Sequence, residues 1–250
     1  MLLFLSTAAS AAAQDWRAAS LEPVGLAPNP RTTPEAVVQV YGARTRGLKG
    51  LFGVHTWVAV KATDASAWTV YEVIGWRLRY SDSAVVVRTR DPDGRWFGSE
   101  PELYAEKRGP GVDELIRRVD QAARSYPYAK EYTLWPGPNS NTFTAWIGRA
   151  VPELELDLPA TAIGKDYIGS SVVSRAPSGT GFQFSLGGVL GLTASKVDGV
   201  ELNILSLNFG VGPSGLKLPL IGRIGTPHFG AAVAAPAAGA AAAAEAPLQP

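Results

Sequence analysis

The chain of 250 residues contains no cysteine, and this absence removes three kinds of site at once. A protein without thiols can form no disulfide, no thiolate metal site and no cysteine nucleophile. Histidine is almost as scarce, since the chain has only His55 and His228, which lie far apart in the sequence. Such a pair matches no His-rich metal motif. We therefore predict neither a metal centre nor a cofactor.

The chain also lacks an excess of charge of either sign. Its 23 Lys and Arg residues face 22 Asp and Glu residues, so the net charge is +1, and no basic run stands out. We therefore do not expect the protein to bind nucleic acid. Hydrophobic residues make up 46% of the chain, which is enough to form one sizeable core.

The two ends of the chain differ in composition from its centre. Residues 1–13 join a Leu-Leu-Phe-Leu run to small residues, an apolar stretch shorter than the roughly 20 residues of a membrane span. Ala11-Ala12-Ala13 suits signal peptidase, which predicts export to the periplasm or cell envelope; the alternative is an apolar terminus packed on the domain. Residues 14–34 are predicted to form an extended arm, 35–225 a single globular domain, and 226–250, with His228, a disordered Ala- and Pro-rich tail.

Within the domain, the hydrophobic pattern predicts an α+β fold. β-branched and aromatic runs indicate a mostly antiparallel sheet with strands at 36–41, 52–61, 68–80 and 84–90. Apolar residues at helical spacing predict two helices that cover this sheet, at 111–125 and 140–151. Short glycine-punctuated runs then predict a second set of strands, arranged as β-hairpins, at 181–186, 188–194, 199–207 and 216–220.

The segment 135–147 carries the candidate nucleophile. Pro136 and Pro138 favour an extended backbone before the helix. Asn139 before Ser140 is a strong helix-cap signal. A hydroxyl at a helix N-terminus lies at the positive end of the macrodipole, where unsatisfied amides can hold an oxyanion. Ser140 is therefore the candidate nucleophile. The alternative is that Ser140 or Asn139 only caps the helix, which stabilises it by about 1 kcal/mol.

Two neighbouring strands supply candidate partners for Ser140. The alternation in 52–61 places His55 on the same face as Trp57, where it serves either as a structural hydrogen-bonding residue or as a base. Glu72 is the one charge on an otherwise apolar strand face, so it needs a buried partner. It either orients His55, as the acid of a Ser-His-acid triad does, or pairs with an arginine, the candidates being Arg44, Arg46 and Arg88.

Six segments of the domain carry a resemblance to a known family: 37–44, 55–61, 71–76, 135–146, 162–167 and 217–223. Together they resemble an uncharacterised bacterial family, domain of unknown function 3750 (DUF3750), over about residues 35–225. The resemblance implies no particular activity.

The order of the chemical groups resembles a second, more distant family. A histidine on one strand, a polar group on the next, and Asn-nucleophile-x-x-Phe at the start of a helix are similar to circularly permuted papain-like proteins of the NlpC and lecithin retinol acyltransferase type. This resemblance implies that His55 is the base, Glu72 its orienting partner and Ser140 the nucleophile. Those enzymes use cysteine, and the far less acidic hydroxyl of a serine needs a well-aligned base.

Two main functions are consistent with these residues. In the first, an exported protein of permuted papain-like fold acts through Ser140, His55 and Glu72 as a hydrolase or acyltransferase of envelope amides or esters. In the second, the same cleft binds a cell-wall peptide, glycan or lipid without chemistry. Its hydrogen-bonding groups are then Ser140, Asn139 and Asn141, and its walls Trp57, Trp135 or Trp146. A structural envelope protein is a third alternative, and neither substrate nor oligomeric state follows from the sequence.

Overall fold

A computed structural model describes residues 19–47 and 49–226, which contain two antiparallel sheets. The strands of the first sheet are β1 (Val37–Arg44), β2 (Val54–Lys61), β3 (Thr69–Val73), β4 (Val85–Thr89) and β5 (Pro101–Arg108). They pair in the order β4-β3-β2-β1-β5. With the helices described next, this arrangement confirms the predicted α+β class.

Two long helices cover one face of the first sheet. A one-turn helix, α1 (Lys49–Phe52), precedes β2, and the long helices are α2 (Val112–Arg124) and α3 (Ser140–Ala150). Their apolar stripes pack on the sheet in one core that includes Val58, Leu115, Val119, Phe143 and Ile147. Both long helices were predicted from the helical spacing of their apolar residues. Their packing on the sheet places the start of α3 against β2.

The other face of the first sheet is also buried, because the described part of the N-terminal arm crosses it. Tyr41 and Trp57 belong to a second apolar cluster on this face, and Ala27 of the arm packs against it. The amides of Leu26 and Ala27 donate to the Asp93 carboxylate, at 2.6 and 3.2 Å. Strand β2, with His55, therefore lies in the middle of the domain and is covered on both sides.

Two strand predictions for the first sheet were wrong, and one strand was not predicted. The run 68–80 does not form one strand, since β3 ends at Val73 and Gly75–Arg79 forms a 3₁₀ turn. A Cβ at Gly75 would lie 2.4 Å from the Tyr132 ring, so this backbone passes too close to the ring for any side chain. Phe52 ends α1 instead of beginning β2. Strand β5 was not predicted, because its charged residues obscure the alternation of an edge strand.

The second sheet has seven strands that follow one another in sequence order. They are β6 (Val173–Ser174), β7 (Phe182–Leu186), β8 (Leu190–Ser195), β9 (Gly199–Ile204), β10 (Leu207–Gly212), β11 (Gly215–Leu218) and β12 (Gly222–Ile224). The predicted single strand 199–207 is wrong, because Leu205 and Ser206 form a hairpin turn at φ of 54° and 63°. Such turns usually contain Asn-Gly, and neither residue occurs here.

Buried polar and charged side chains lie on and against the inner face of the second sheet. Glu201 accepts hydrogen bonds from Lys165 and Lys217, and Lys217 also bonds Asp157. These four residues are at most 2% exposed. Asp157, Asp198 and Glu201 approach one another as metal ligands do, but the two lysines already balance much of their charge.

Two predicted segments fall wholly or almost wholly outside the described residues. These are the signal-like segment 1–13 and the tail 226–250 with His228, of which only residue 226 is described. In the part of the chain that the structure describes, no helix has the length and apolar character needed to cross a bilayer.

Candidate functional site

Asn139 caps helix α3. Its side-chain oxygen accepts hydrogen bonds from the amides of Asn141 and Thr142, at 2.9 and 3.3 Å. The hydroxyl of Thr142 in turn accepts from the Asn139 amide at 3.0 Å, which completes a capping box. Ser140 is consequently the first residue of the helix and not its cap, so capping does not account for its hydroxyl.

Ser140 carries a hydroxyl and a backbone amide at the start of α3. Neither its hydroxyl oxygen nor its backbone amide makes a hydrogen bond to any of the described residues. The next two amides are occupied by the Asn139 side chain. The residue is only 3% exposed, yet it lines a cavity. The start of α3 therefore offers that cavity one hydroxyl and one amide donor at the positive end of the helix.

His55 lines the same cavity and is held by Glu72. The His55 Nε2 atom lies 3.2 Å from Glu72 Oε2. Because an ionised carboxylate can only accept, we assign the imidazole hydrogen to Nε2, which leaves a lone pair on Nδ1 of a neutral ring. Nδ1 has no hydrogen-bond partner among the described residues. A neutral imidazole in this tautomer can accept a proton at Nδ1.

Glu72 also pairs with arginine, so the two alternatives considered for it occur together. Arg88 donates to Glu72 Oε1 through Nη2 at 2.8 Å and Nε at 3.2 Å, and Arg90 Nε lies 3.6 Å from the same oxygen. Burial alone would raise the pKa of Glu72, but the bond and charge of His55 and the charges of both arginines outweigh it and hold the pKa at about 2. Glu72 is therefore an anion at neutral pH.

His55 is held in its neutral form by burial. Burial lowers its pKa below the usual 6.5, although the hydrogen bond and charge of Glu72 oppose this shift. The indole of Trp96 covers the imidazole, with ring centroids 3.7 Å apart and planes 12° apart. A histidine that is neutral at pH 7 is available as a base without first losing a proton.

The cavity has a volume of about 550 Å³ and mostly apolar walls. His55 and Ser140 provide polar groups in it, and Arg46 lies at its lining. Its apolar and aromatic walls include Ile74, Trp76, Trp96, Phe97, Tyr132, Leu134, Trp135, Leu205 and Leu207. This volume and character suit a small, largely apolar ligand with one polar centre.

The other predicted binding residues lie in different environments. The amide of Asn141 is used inside the protein, since its nitrogen donates to the carbonyls of Val54 and Ile163 and its oxygen accepts from Thr56. Asn139 and Asn141 both line the cavity. However, the side chain of Asn139 caps α3, and the side chain of Asn141 links α3 to β2. Their role as ligand contacts stays a prediction.

The predicted tryptophans separate into wall and core. Trp135 is half-exposed at the cavity and donates to the carbonyl of Leu205 at 3.3 Å. Trp57 is fully buried behind His55, donates to the Pro92 carbonyl and does not line the cavity. Trp146 donates to the Ala122 carbonyl between the two long helices. Only Trp135 of these three is therefore placed to contact a ligand in this cavity.

Sequence reasoning missed the aromatic cover of the histidine. Trp96 stacks on His55, and Trp76 and Phe97 pack around Trp96 with centroids 6.0 and 5.0 Å away. The adjacent pair Trp96-Phe97 follows the turn at 91–94, where large aromatic residues are unusual. That signal was present in the sequence, but which residue the pair covers depends on the folding of the loop.

Comparison with protein-family models matches residues 35–167 to the family described as "Protein of unknown function (DUF3750)". The match covers more than half of the 250-residue chain and includes His55, Glu72 and Ser140. No curated protein and no solved structure shows significant similarity to the chain.

Proposed function

The chain belongs to the DUF3750 family, to which no activity is assigned, and we propose that it is a serine hydrolase or acyltransferase acting on amides or esters of the cell envelope. One observation carries this proposal. The unpartnered hydroxyl of Ser140 and the Glu72-bound imidazole of His55 line one largely apolar cavity. Export, a permuted papain-like relationship and an envelope substrate belong to the same proposal and rest on the sequence alone.

The proposed reaction assigns one role to each group. Ser140 Oγ attacks the substrate carbonyl carbon while its proton passes to Nδ1 of His55. The carbonyl oxygen becomes an oxyanion, which the Ser140 amide and the positive end of α3 stabilise. Collapse expels the amine or alcohol, which takes the proton from His55. Water or a second acceptor then attacks the carbonyl carbon of the acyl-serine while its proton passes to Nδ1 of His55. When the bond to Ser140 Oγ breaks, His55 returns this proton to the serine.

Glu72 has a positioning role in this scheme. It bonds Nε2, which fixes the tautomer with the free lone pair on Nδ1, and its negative charge stabilises the imidazolium formed during attack. Arg88 and Arg90 hold the carboxylate in place from the other side. His55 lies on the face of β2 that carries Trp57, whereas α3 packs on the opposite face, so Ser140 and His55 make no hydrogen bond. The proposed proton transfer therefore requires the two side chains to approach each other when substrate enters the cavity that both line.

A fluorophosphonate probe tests the reaction, because it labels only activated serines. We expect the wild-type chain to label at Ser140, and labelling should persist at pH 6.5 and decline only at lower pH, because burial lowers the pKa of His55 below 6.5. Ser140→Ala and His55→Asn should both abolish labelling. Ser171→Ala is the matched control, since Ser171 is exposed and outside the cavity lining, and it should label like the wild type.

A cysteine variant gives a second, independent readout. Because the chain has no cysteine, Ser140→Cys introduces a single thiol whose reaction with iodoacetamide reports on one position. Beside a competent imidazole it should react as a thiolate well below the usual thiol pKa of about 8.5. A second change, His55→Asn in the same variant, should return an ordinary thiol titration.

A binding protein without chemistry is the second candidate, and the absence of a Ser140–His55 hydrogen bond among the described residues favours it. A serine hydroxyl without an aligned base is a poor nucleophile. If the wild type never labels and the Ser140→Cys thiol titrates normally, the catalytic proposal is wrong. The cavity would then serve as a binding site for an apolar group.

A further inference from the structure

The outer face of the second sheet is apolar from one edge strand to the other. Three cross-strand rows cover it, and every position in them is apolar. The rows are Val173–Phe184–Leu192–Leu202–Phe209, Phe182–Ala194–Val200–Val211–Leu216–Ile224 and Leu186–Leu190–Ile204–Leu207. The polar residues of the same strands are buried on the inner face. This polarity is the reverse of that found in a sheet with one face in water.

The exposed apolar area is too large for the surface of a soluble monomer. Most side chains in the rows are roughly half exposed, from 39% at Phe184 to 64% at Val173. Together they leave on the order of 1,000 Å² of apolar surface uncovered, whereas the largest patch on a typical monomer is about 300–600 Å². This surface, which we call the apolar platform, therefore needs a covering partner.

The apolar character continues onto the turns beside the cavity. The turns β9–β10 and β11–β12 lie at the same end of the sheet and carry Leu205, Leu220 and Ile221, which are 62%, 48% and 56% exposed. Leu205 and Leu220 adopt positive φ, where Gly or Asn would be expected. Leu205 also lines the cavity, so the platform and the cavity share a border.

We propose that the apolar platform docks on the surface of a lipid bilayer, with the cavity beside the docked face. Its strands have at most six residues, fewer than the roughly 9–11 of a spanning strand, so the sheet lies on the bilayer and does not cross it. The rows carry no charge, which matches uncharged lipid. An apolar ligand could then pass from the bilayer into the cavity without crossing water.

A second copy of the chain fits this face less well. Interfaces between subunits have an apolar centre surrounded by a polar rim. On this sheet the apolar rows reach both edge strands, and exposed apolar residues continue onto the turn tips. A lipid surface needs no polar rim, because the acyl region extends past the protein on every side.

Cosedimentation of the full chain with phosphatidylcholine vesicles tests the proposal without measuring activity. We expect the wild type to bind at both low and high salt, because the contact is apolar. Leu202→Lys places a charge in the middle of the central row and should reduce partitioning at least tenfold, as should Phe209→Lys if the first variant does not fold. Val87→Lys is the matched control, because Val87 is similarly exposed on the first sheet, and it should bind like the wild type.

Three outcomes would overturn the proposal. They are a wild type that stays in the supernatant, a Leu202→Lys variant that binds undiminished, and a wild-type dimer without vesicle binding that Leu202→Lys converts to monomer in sedimentation velocity. The last outcome assigns the face to a second copy. Vesicle binding does not depend on the proposed reaction, so Ser140→Ala should bind like the wild type even if no substrate is ever turned over.

Discussion

The indole of Trp96 lies almost flat on the imidazole of His55, with 3.7 Å between the ring centroids. The stack covers the histidine with an apolar ring while Glu72 holds its Nε2 atom. Burial and an anionic partner act on the protonated imidazole in opposite directions, and burial has the larger effect. The result is a neutral base that is shielded from water and fixed in one tautomer.

The first prediction concerns the titration of this histidine. Trp96→Ala removes the cover, admits water and should raise the pKa of His55 toward 6.5, whereas Trp96→Phe keeps an apolar ring and should leave it low. NMR of the ring protons measures this directly, because the chain has only two histidines and His228→Gln identifies the other one. A wild-type His55 that already titrates at 6.5 would contradict the assigned environment.

The second prediction is that acid unfolds the protein partly through Glu72. Its pKa is about 2 in the folded state and 4.5 ordinarily, so its contribution is fully present above pH 4.5 and is lost as the pH falls toward 2. The shift corresponds to on the order of 3 kcal/mol. Urea unfolding at a series of pH values should show this slope in the wild type and a flatter one in Glu72→Gln, and parallel slopes would contradict it.

The third prediction compares the two members of an ion pair. Glu72→Gln removes the only carboxylate shown to pair with Arg88 or Arg90 among the described residues and should destabilise the fold by about 3 kcal/mol. Arg88 is 49% exposed, so Arg88→Gln leaves Glu72 with His55 and Arg90 and should cost only about 1 kcal/mol or less. Denaturant midpoints test the ordering, and equal losses would mean that Arg88 is the main partner of the buried charge.

The fourth prediction separates the cap of α3 from the candidate nucleophile. Asn139 makes four side-chain hydrogen bonds at a buried position, so Asn139→Ala should cost about 2 kcal/mol or more. Ser140→Ala removes a hydroxyl that bonds none of the described residues and should change stability by less than about 0.5 kcal/mol. Thermal unfolding of both variants measures these two losses of stability. A large loss of stability in Ser140→Ala would show that the Ser140 hydroxyl has a structural role.

The fifth prediction concerns the buried charges behind the second sheet. Lys217 is fully buried and bonds both Asp157 and Glu201, so Lys217→Met leaves two carboxylates short of a cation and should cost about 3–5 kcal/mol. Lys196→Met, at an exposed turn, is the matched control and should change stability by less than about 0.5 kcal/mol. If Lys217→Met is as stable as the control, the ion pairs do not hold this sheet to the domain.

The sequence by itself determined the features that arise from neighbouring residues. Periods of two and of about 3.6 are local, so strands such as β1 and β2 and both long helices could be predicted from apolar spacing. The cap at Asn139 was predicted for the same reason, because a cap acts within one turn of helix. The alternation of residues along its strand also predicted that Glu72 is the one charged residue on an apolar face.

Only the tertiary structure decided which of these residues meet. The antiparallel pairing of β2 with β3 brings Glu72 to His55, and packing of α3 on β2 brings Ser140 to the same cavity. The stacking of Trp96 on His55 depends on an irregular loop, for which no periodic pattern exists. The outward direction of the apolar rows was decided in the same way. Alternation assigns residues to two faces, but which face is buried depends on what the rest of the chain packs against it.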